Sequence, residues 1–253
     1  MNTPSEKHIF ALIWNNPAQP LINLKISSSL MIDNPDLCHR LQTILRLNIH
    51  DQCIFFTHQH HALVEITAIT KKNITVNVLK VSTNKHHHPT IICGIPLLKR
   101  EALETVVDSL TQLGATTIQL LTTAKMHRSA FGQKDLERLQ RIINAAAEQS
   151  KNFSFPRLQS PIPLNDFVSS LEQPNIAPIF FDSHGKNAFE TLQHIKNDTY
   201  NTLVMLIGPE GDLNEQEKTL LKNHNFIFMA LTPTILRAEQ AIALGLGIFR
   251  SFL

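Results

Sequence analysis

No apolar run in this 253-residue chain approaches the roughly 18 residues that a membrane-spanning helix needs. The first residues place Glu6, Lys7 and His8 where a secretory signal would have an apolar core, so none is expected. Cysteine is scarce: Cys38, Cys53 and Cys93 are odd in number and lack Cys-x-x-Cys spacing. That argues against a disulfide framework and suits reduced core thiols in a cytoplasmic protein. Aromatic residues make up only 6%, and no internal repeat is visible. The histidine groups His58, His60, His61 and His86 to His88 have no cysteine or carboxylate at regular separations, as strong zinc sites do. They read as surface-loop residues, and no metal is expected. Gly208-Pro209-Glu210-Gly211 lacks the Lys-Ser/Thr of a phosphate-gripping Walker loop and the glycine spacing of a dinucleotide site.

What is present supports a sizeable core. The apolar share is 43%, ordinary for a globular protein, and the length suits one large or two modest domains. A net charge of +2 hides an uneven distribution. Residues 85–160 hold ten Lys and Arg against six Asp and Glu, whereas residues 161–253 hold six against ten. Lys125, Arg128, Lys134, Arg138, Arg141, Lys151 and Arg157 carry much of the basic excess. Such a patch attracts phosphates, although a solvated helix face has the same composition.

Residues 1–84 read as a small β-barrel with one helix. The runs Ala62 to Thr67 and Ile74 to Leu79 are rich in β-branched residues, with Lys71-Lys72-Asn73 at a hairpin tip. Cys53 to Phe56 is a further strand, and Trp14 and Phe10 belong to the core. Asp36 to Leu47 has helical spacing at Leu37, Leu41, Ile44 and Leu45. Lys85 to Pro89 reads as a linker. Beyond it, strands and helices alternate as they do around a parallel sheet. Strands are expected at 90–95, 116–121, 177–181, 203–207 and 226–230, and helices at 99–113 and 133–149.

Chemistry concentrates in the last fifty residues. The strand Leu203 to Ile207 runs into Gly208-Pro209-Glu210-Gly211-Asp212, and Phe226 to Ala230 runs into Leu231-Thr232-Pro233-Thr234-Ile235-Leu236-Arg237-Ala238-Glu239. Open α/β sheets build ligand sites at such strand ends. Glycine lets backbone approach a ligand without an intervening Cβ, and two such turns on neighbouring strands would enclose a flat ring. Asp212 and Asn214 each precede a Glu by three residues, giving two candidate capping boxes.

These turns, with Gln112-Leu113-Gly114, Ala147-Glu148-Gln149-Ser150 followed by Pro156, and Ile44-Leu45-Arg46, resemble the RsmE-type family of SPOUT methyltransferases across almost the whole chain. The family methylates N3 of a uridine in small-subunit (16S) ribosomal RNA. The resemblance implies a PUA-like RNA-binding barrel over 1–84 and an α/β methyltransferase domain over 85–253, with a trefoil knot at about 177–253. It also implies S-adenosylmethionine as cofactor and a homodimer. Carried onto matching positions, it puts Phe181, Ile207, Gly208, Pro209, Glu210, Gly211, Leu231, Pro233, Ile235 and Leu236 around the cofactor. For the transfer itself, Arg237 is the candidate to stabilise the reacting base or to grip a phosphate, with a structural salt bridge to Glu210 or Glu239 as the alternative, and Glu210 and Glu239 are candidates for proton removal or for helix caps. Arg46 of the barrel and Lys125, Arg128 and Lys151 of the basic patch are the candidate RNA contacts. The chain departs from the family pattern at Gln112, Lys125, Asn152, Asp212, Thr234 and Gln240. Two other readings therefore stay open: an RNA-binding relative without methyl transfer, and an enzyme acting on a different RNA or atom.

Overall fold

The computed structural model describes residues 8–126, 131–171, 174–197 and 200–252. The chain divides into two compact units, Met1–Lys85 with Glu148–Ser154, and His86–Ala147 with Phe155–Leu253.

The first unit is built on a five-stranded sheet of β1 (Phe10–Ile13), β2 (Ser29–Ile32), β3 (Gln52–Phe56), β4 (His60–Ile69) and β5 (Ile74–Thr83), in the order β1-β3-β4-β5-β2. The β1–β3 pair is parallel and the rest are antiparallel. The alternation in β4 and β5 sends Ala62, Val64 and Ile66, and Ile74, Val76 and Val78, to one buried face. Trp14 and Phe55 meet there at a centroid distance of 5.0 Å. The hairpin closes where the Thr70 amide donates to the Asn73 carbonyl at 2.9 Å.

The expected helix begins one residue early and splits. In α1 (Pro35–His39), Asn34 caps the Leu37 amide and Pro35 takes the first helical position, where its missing N–H costs nothing. A π-helical turn, Arg40–Ile44, continues it. Glu148 belongs to this unit by packing, accepting Arg40 and, at 2.9 Å, the Ile13 amide. The expectation of surface-loop histidines fails at His60 and His61, which begin β4. His61 Nδ1 lies 2.8 Å from Asn84 Oδ1 and its ring packs on Phe153.

The second unit is a six-stranded, fully parallel sheet in the order β11-β9-β10-β6-β7-β8. Its strands are β6 (Thr90–Pro96), β7 (Thr117–Thr122), β8 (Arg157–Pro163), β9 (Ile176–Asn187), β10 (Thr202–Leu206) and β11 (Ile227–Ala230). Leu203 to Leu206 are all fully buried, as expected of a strand covered on both faces. Helices α2 (Arg100–Gln112), α3 (Gln133–Ser150), α4 (Leu164–Ser169), α5 (Ala188–Asn197), α6 (Glu215–Asn223) and α7 (Ala238–Phe252) connect the strands and close the chain. Helix α2 buries Leu103, Val106, Val107 and Leu110, a 3–4 spacing that forms one face. It stops at Gly114, whose φ of 84° few other residues adopt readily. The Arg250 guanidinium grips the Gly114 carbonyl at 2.6 and 3.1 Å and the Pro89 carbonyl at 2.7 Å. Cys38, Cys53 and Cys93 are free and buried, and burial pushes the Cys53 and Cys93 thiols up to about 12. Among the described residues no helix is long and apolar enough to cross a membrane.

Candidate active site

The chain leaves β6 toward β7 and β8 on one side of the sheet and builds β9 and β11 on the other, so β6 and β10 form a topological switch point. Ligands of open α/β sheets bind outside the carboxyl ends of strands at such a point. The turn after β10 starts there. The Ile207 amide reaches the Gly94 carbonyl at 3.5 Å, and Glu210 Oε1 accepts the Lys99 amide at 3.2 Å. Pro209 is buried, while Glu210 and Gly211 are exposed. Lys125, on the loop after β7, donates from Nζ to the Gly211 carbonyl at 3.0 Å. That cation is thus engaged with the turn itself, a contact that its expected RNA role did not foresee.

The two signature turns are not on adjacent strands. β9 lies between β10 and β11, which separates the turns by two strand spacings, roughly 10 Å. Nor does β9 end at Phe181. Its register with β11 jumps from Phe180↔Phe228 to Lys186↔Met229, so residues 181–185 bulge out between the turns. Gly185 permits this because a Cβ there would lie 2.5 Å from the Met229 amide nitrogen and from the Phe228 carbonyl carbon. The Phe181 ring turns onto α7 at Gly245, where a Cβ would fall 2.2 Å from Phe181 Cζ.

The second turn is more open. Leu231 and Leu236 are half-buried, Pro233 is exposed, and Ile235 is 85% exposed. The Thr232 hydroxyl donates to the Thr234 carbonyl at 2.7 Å, which tightens the loop. The Arg237 carbonyl accepts the first amides of α7, from Gln240 at 3.1 Å and Ala241 at 2.9 Å. Its guanidinium is exposed and forms no ion pair with Glu210 or Glu239 among the described residues. The amides of Gly208, Gly211, Ile235 and Leu236 likewise make no hydrogen bond within the described chain. Both turns therefore present free backbone donors beside apolar side chains. The buried Thr123 hydroxyl, after β7, is also without a partner among the described residues.

Helix α6 fastens the first turn. Asn214, with φ −77° and ψ 171°, forms the capping box with Glu217, whose Oε1 also accepts the Ala124 amide at 2.8 Å. Asp212 is not a cap. Its φ of 58° is left-handed, whereas a cap needs extended backbone. Its Oδ2 instead lies 2.7 Å from Lys218 Nζ, which also meets Asp182 Oδ2 at 2.9 Å. Burial alone would raise the Asp182 carboxyl. The His184 amide and Lys218 outweigh it, leaving the pKa below the ordinary aspartate value. Burial opposes the Lys218 charge too, yet the two carboxylates raise its pKa.

Arg46 and Lys151 are exposed in the first unit, each with positive φ, and Arg128 lies outside the described residues. No group of three His, Cys, Asp or Glu suited to a metal is found among the described residues.

The family described as RNA methyltransferase domain matches residues 85–250. The chain belongs to that family. The RNA methyltransferase assignment agrees with the resemblance carried by the two turns. Among curated relatives, the ribosomal RNA small subunit methyltransferase E of Rickettsia conorii is 27% identical over 205 residues, covering 80% of this chain and 82% of the relative. Two solved structures share the fold over nearly the whole length. The methyltransferase E of Neisseria gonorrhoeae, bound to S-adenosylmethionine, has a TM-score of 0.82 at 19% identity and covers 96% of this chain and 98% of its own. A Legionella pneumophila protein described as a methyltransferase by assignment, also with that cofactor, has a TM-score of 0.80 at 20% identity and covers 97% of this chain and 98% of its own.

Sequence reasoning located both turns and missed what fastens the first, namely Lys218, Asp182 and the Lys99 amide, and the Gly245 notch that takes the Phe181 ring. The one signal noted was Asp212, a departure from the pattern of the family that the chain resembles.

Proposed function

We propose that this RNA methyltransferase moves a methyl group from S-adenosylmethionine to N3 of a uridine in 16S ribosomal RNA of the small subunit. One observation carries the reading. Among the described residues, two turns with free backbone amides stand either side of the β9 bulge, and an exposed Arg237 whose guanidinium has no partner there follows the second. The names and cofactor of the relatives point the same way.

The residues fit such a cofactor. At Gly208 a Cβ would lie 2.9 Å from Asp212 Oδ1, so a larger residue there would have to displace that carboxylate, and glycine keeps the backbone of the turn accessible. Ile207, Gly208, Pro209, Glu210 and Gly211 would line one side of a flat heteroaromatic ring, and Leu231, Pro233, Ile235 and Leu236 the other. Free amides would read its nitrogen atoms, and Phe181 would contribute from the bulge. When bound, S-adenosylmethionine supplies an electrophilic sulfonium methyl.

The chain's own groups do the rest. The cradle orients the reactants along the line of attack, which lowers the entropic share of the barrier. Loss of the N3 proton puts negative charge on the uracil oxygens, and the Arg237 guanidinium stabilises it. Glu210 and Glu239 are the candidate proton acceptors. Glu210 already holds the Lys99 amide, which favours Glu239, in the first turn of α7.

Arg46, Lys125, Arg128 and Lys151 would meet RNA phosphates, with residues 1–84 acting as a PUA-like barrel. A trefoil-knotted path over about 177–253 suits the insertion of β10 between β9 and β6. A homodimer would cover Leu244 on α7 and Phe189 on α5, both exposed. The reading places the enzyme in the cytoplasm with the ribosome.

The test is methyl transfer from labelled S-adenosylmethionine to small subunits lacking N3-methyluridine, with nucleosides identified by mass spectrometry. N3-methyluridine is the expected product. A different methylated nucleoside would reassign the target, and no product beside an active control would leave an RNA-binding relative.

A further inference from the structure

Asp212 is an unexpected residue for its place. Asp visits the left-handed region more readily than most residues, because its side chain can bond locally, yet still at some cost relative to glycine, and here it stands at φ 58° in the turn proposed to hold the cofactor. Its carboxylate has two attachments. Oδ1 accepts the Leu213 amide at 2.7 Å and lies over Gly208, 2.9 Å from where a Cβ would be. Oδ2 is 2.7 Å from Lys218 Nζ.

Lys218 faces a second carboxylate, Asp182 Oδ2, at 2.9 Å. The Lys218 side chain is 16% exposed and that of Asp182 only 8%. Asp182 sits in the β9 bulge one residue after Phe181, and its other oxygen accepts the His184 amide at 2.8 Å. One ammonium thus joins three pieces of backbone: the turn after β10, the bulge of β9, and α6 itself. The helix is fixed from its other side by Glu217, through the Ala124 amide. The ammonium has little freedom to move without leaving a buried carboxylate unpaired, which is costly.

We propose that Lys218 is a positioning residue for cofactor binding. Held between Asp182 and Asp212, it keeps the Gly208–Asp212 turn in its strained form against the β9 bulge and sets cofactor affinity without touching the cofactor. Asp212 and Lys218 act as a pair: the aspartate strains the turn, and the lysine holds the strained form. This rests on the methyltransferase reading above.

The experiment is calorimetric titration of S-adenosylmethionine into the full chain, for wild type, Lys218→Met, Asp212→Gly and the double variant. Lys218→Met should weaken binding on the order of tenfold, since coupled neighbours interact by about that much. It should raise KM for the cofactor and leave kcat at saturation little changed. Glycine adopts φ 58° without strain, so in the Asp212→Gly background the same lysine change should cost much less. A lysine that only stabilises the fold would lower the melting temperature in both backgrounds and leave both affinities alone, and that result overturns the proposal. If Lys218→Met does not fold, Asp212→Asn at its 57% exposed side chain keeps the turn and weakens the ion pair. It should bind severalfold more weakly, and unchanged affinity there would refute the clamp. Wild type binding the cofactor while every variant binds equally well defeats the clamp alone. Wild type that binds none defeats the methyltransferase reading, and the clamp with it.

Discussion

Two glycines of α7 stand two residues apart and should respond in opposite directions to the same substitution. At Gly247 an added Cβ meets nothing within 4 Å. Gly247→Ala should therefore gain the helix-propensity difference, about 1 kcal/mol. At Gly245 the same atom would lie 2.2 Å from Phe181 Cζ, 2.5 Å from Cε2 and 3.1 Å from Cε1. Carbon atoms pack best at roughly 3.5–4.0 Å, so the ring tip must retreat by about 1.3 Å or more. Overpacking of that kind costs about 1–3 kcal/mol. Propensity is common to both sites and cancels in the comparison, leaving Gly245→Ala less stable than Gly247→Ala by about 1–3 kcal/mol. For a chain of this size that corresponds to roughly 2–12 °C in melting temperature. Differential scanning calorimetry, following the transition of the unit that contains α7, makes the measurement. Equal melting temperatures would show that the Phe181 ring swings away freely and that the notch does not hold it. Cofactor titration adds a functional arm: affinity should fall for Gly245→Ala, whose Phe181 is displaced, and hold for Gly247→Ala.

Arg237→Ala should lower methyl transfer by about a hundredfold or more, the usual cost of losing a charge-stabilising donor, with an unchanged melting curve; near-normal turnover would remove its assigned role. Gly208→Val should abolish measurable cofactor binding, because even a Cβ meets Asp212 Oδ1 at 2.9 Å, and unchanged calorimetric affinity would place the pocket elsewhere. Asn214→Ala removes the side chain that accepts the Glu217 amide at 2.8 Å and should cost about 1 kcal/mol, read as a lower melting temperature. For pH, the depressed Asp182 pKa means that its stabilisation is present above the ordinary aspartate value of about 3.9 and is lost as pH falls through the folded value. The stability gap between wild type and Asp182→Asn should thus shrink as pH falls below about 4; a gap that widened over that acid range would contradict the sign.

Where one face or both faces of an element are buried, the fold was legible. The period-two runs of β4 and β5, the solid apolar run of β10 and the 3–4 stripe of α2 each state their burial in local order. Elements whose form depends on distant partners were not legible. β8 carries Pro161 and Pro163, residues that argue against a strand except at an edge, which is where β8 lies. The apolar run of β9 stops at Phe181, and Asp182-Ser183-His184-Gly185 has no strand pattern of its own. It is in fact a bulge that Gly185 lets pass against the β11 backbone. The Asp182–Lys218 contact spans 36 residues, beyond any local pattern. Asp212 and Asn214 looked equivalent as caps, and backbone conformation decided between them: left-handed at 212, extended at 214.

The charge balance of the last third also changes meaning once partners are known. Counted along the chain, its acidic surplus opposes a site that receives a polyanion. Yet Asp182 and Asp212 are matched to Lys218, Glu210 holds the Lys99 amide, and Glu217 holds the Ala124 and Asn214 amides. Four carboxylates are thereby committed to fastening the first turn and α6. Arg237 is committed to nothing among the described residues. In the proposed site these four carboxylates form framework, and the cation that follows the second turn is left for an anionic ligand. Net charge counted along the chain cannot distinguish these two uses, because it weighs a carboxylate tied to an internal donor the same as one facing solvent.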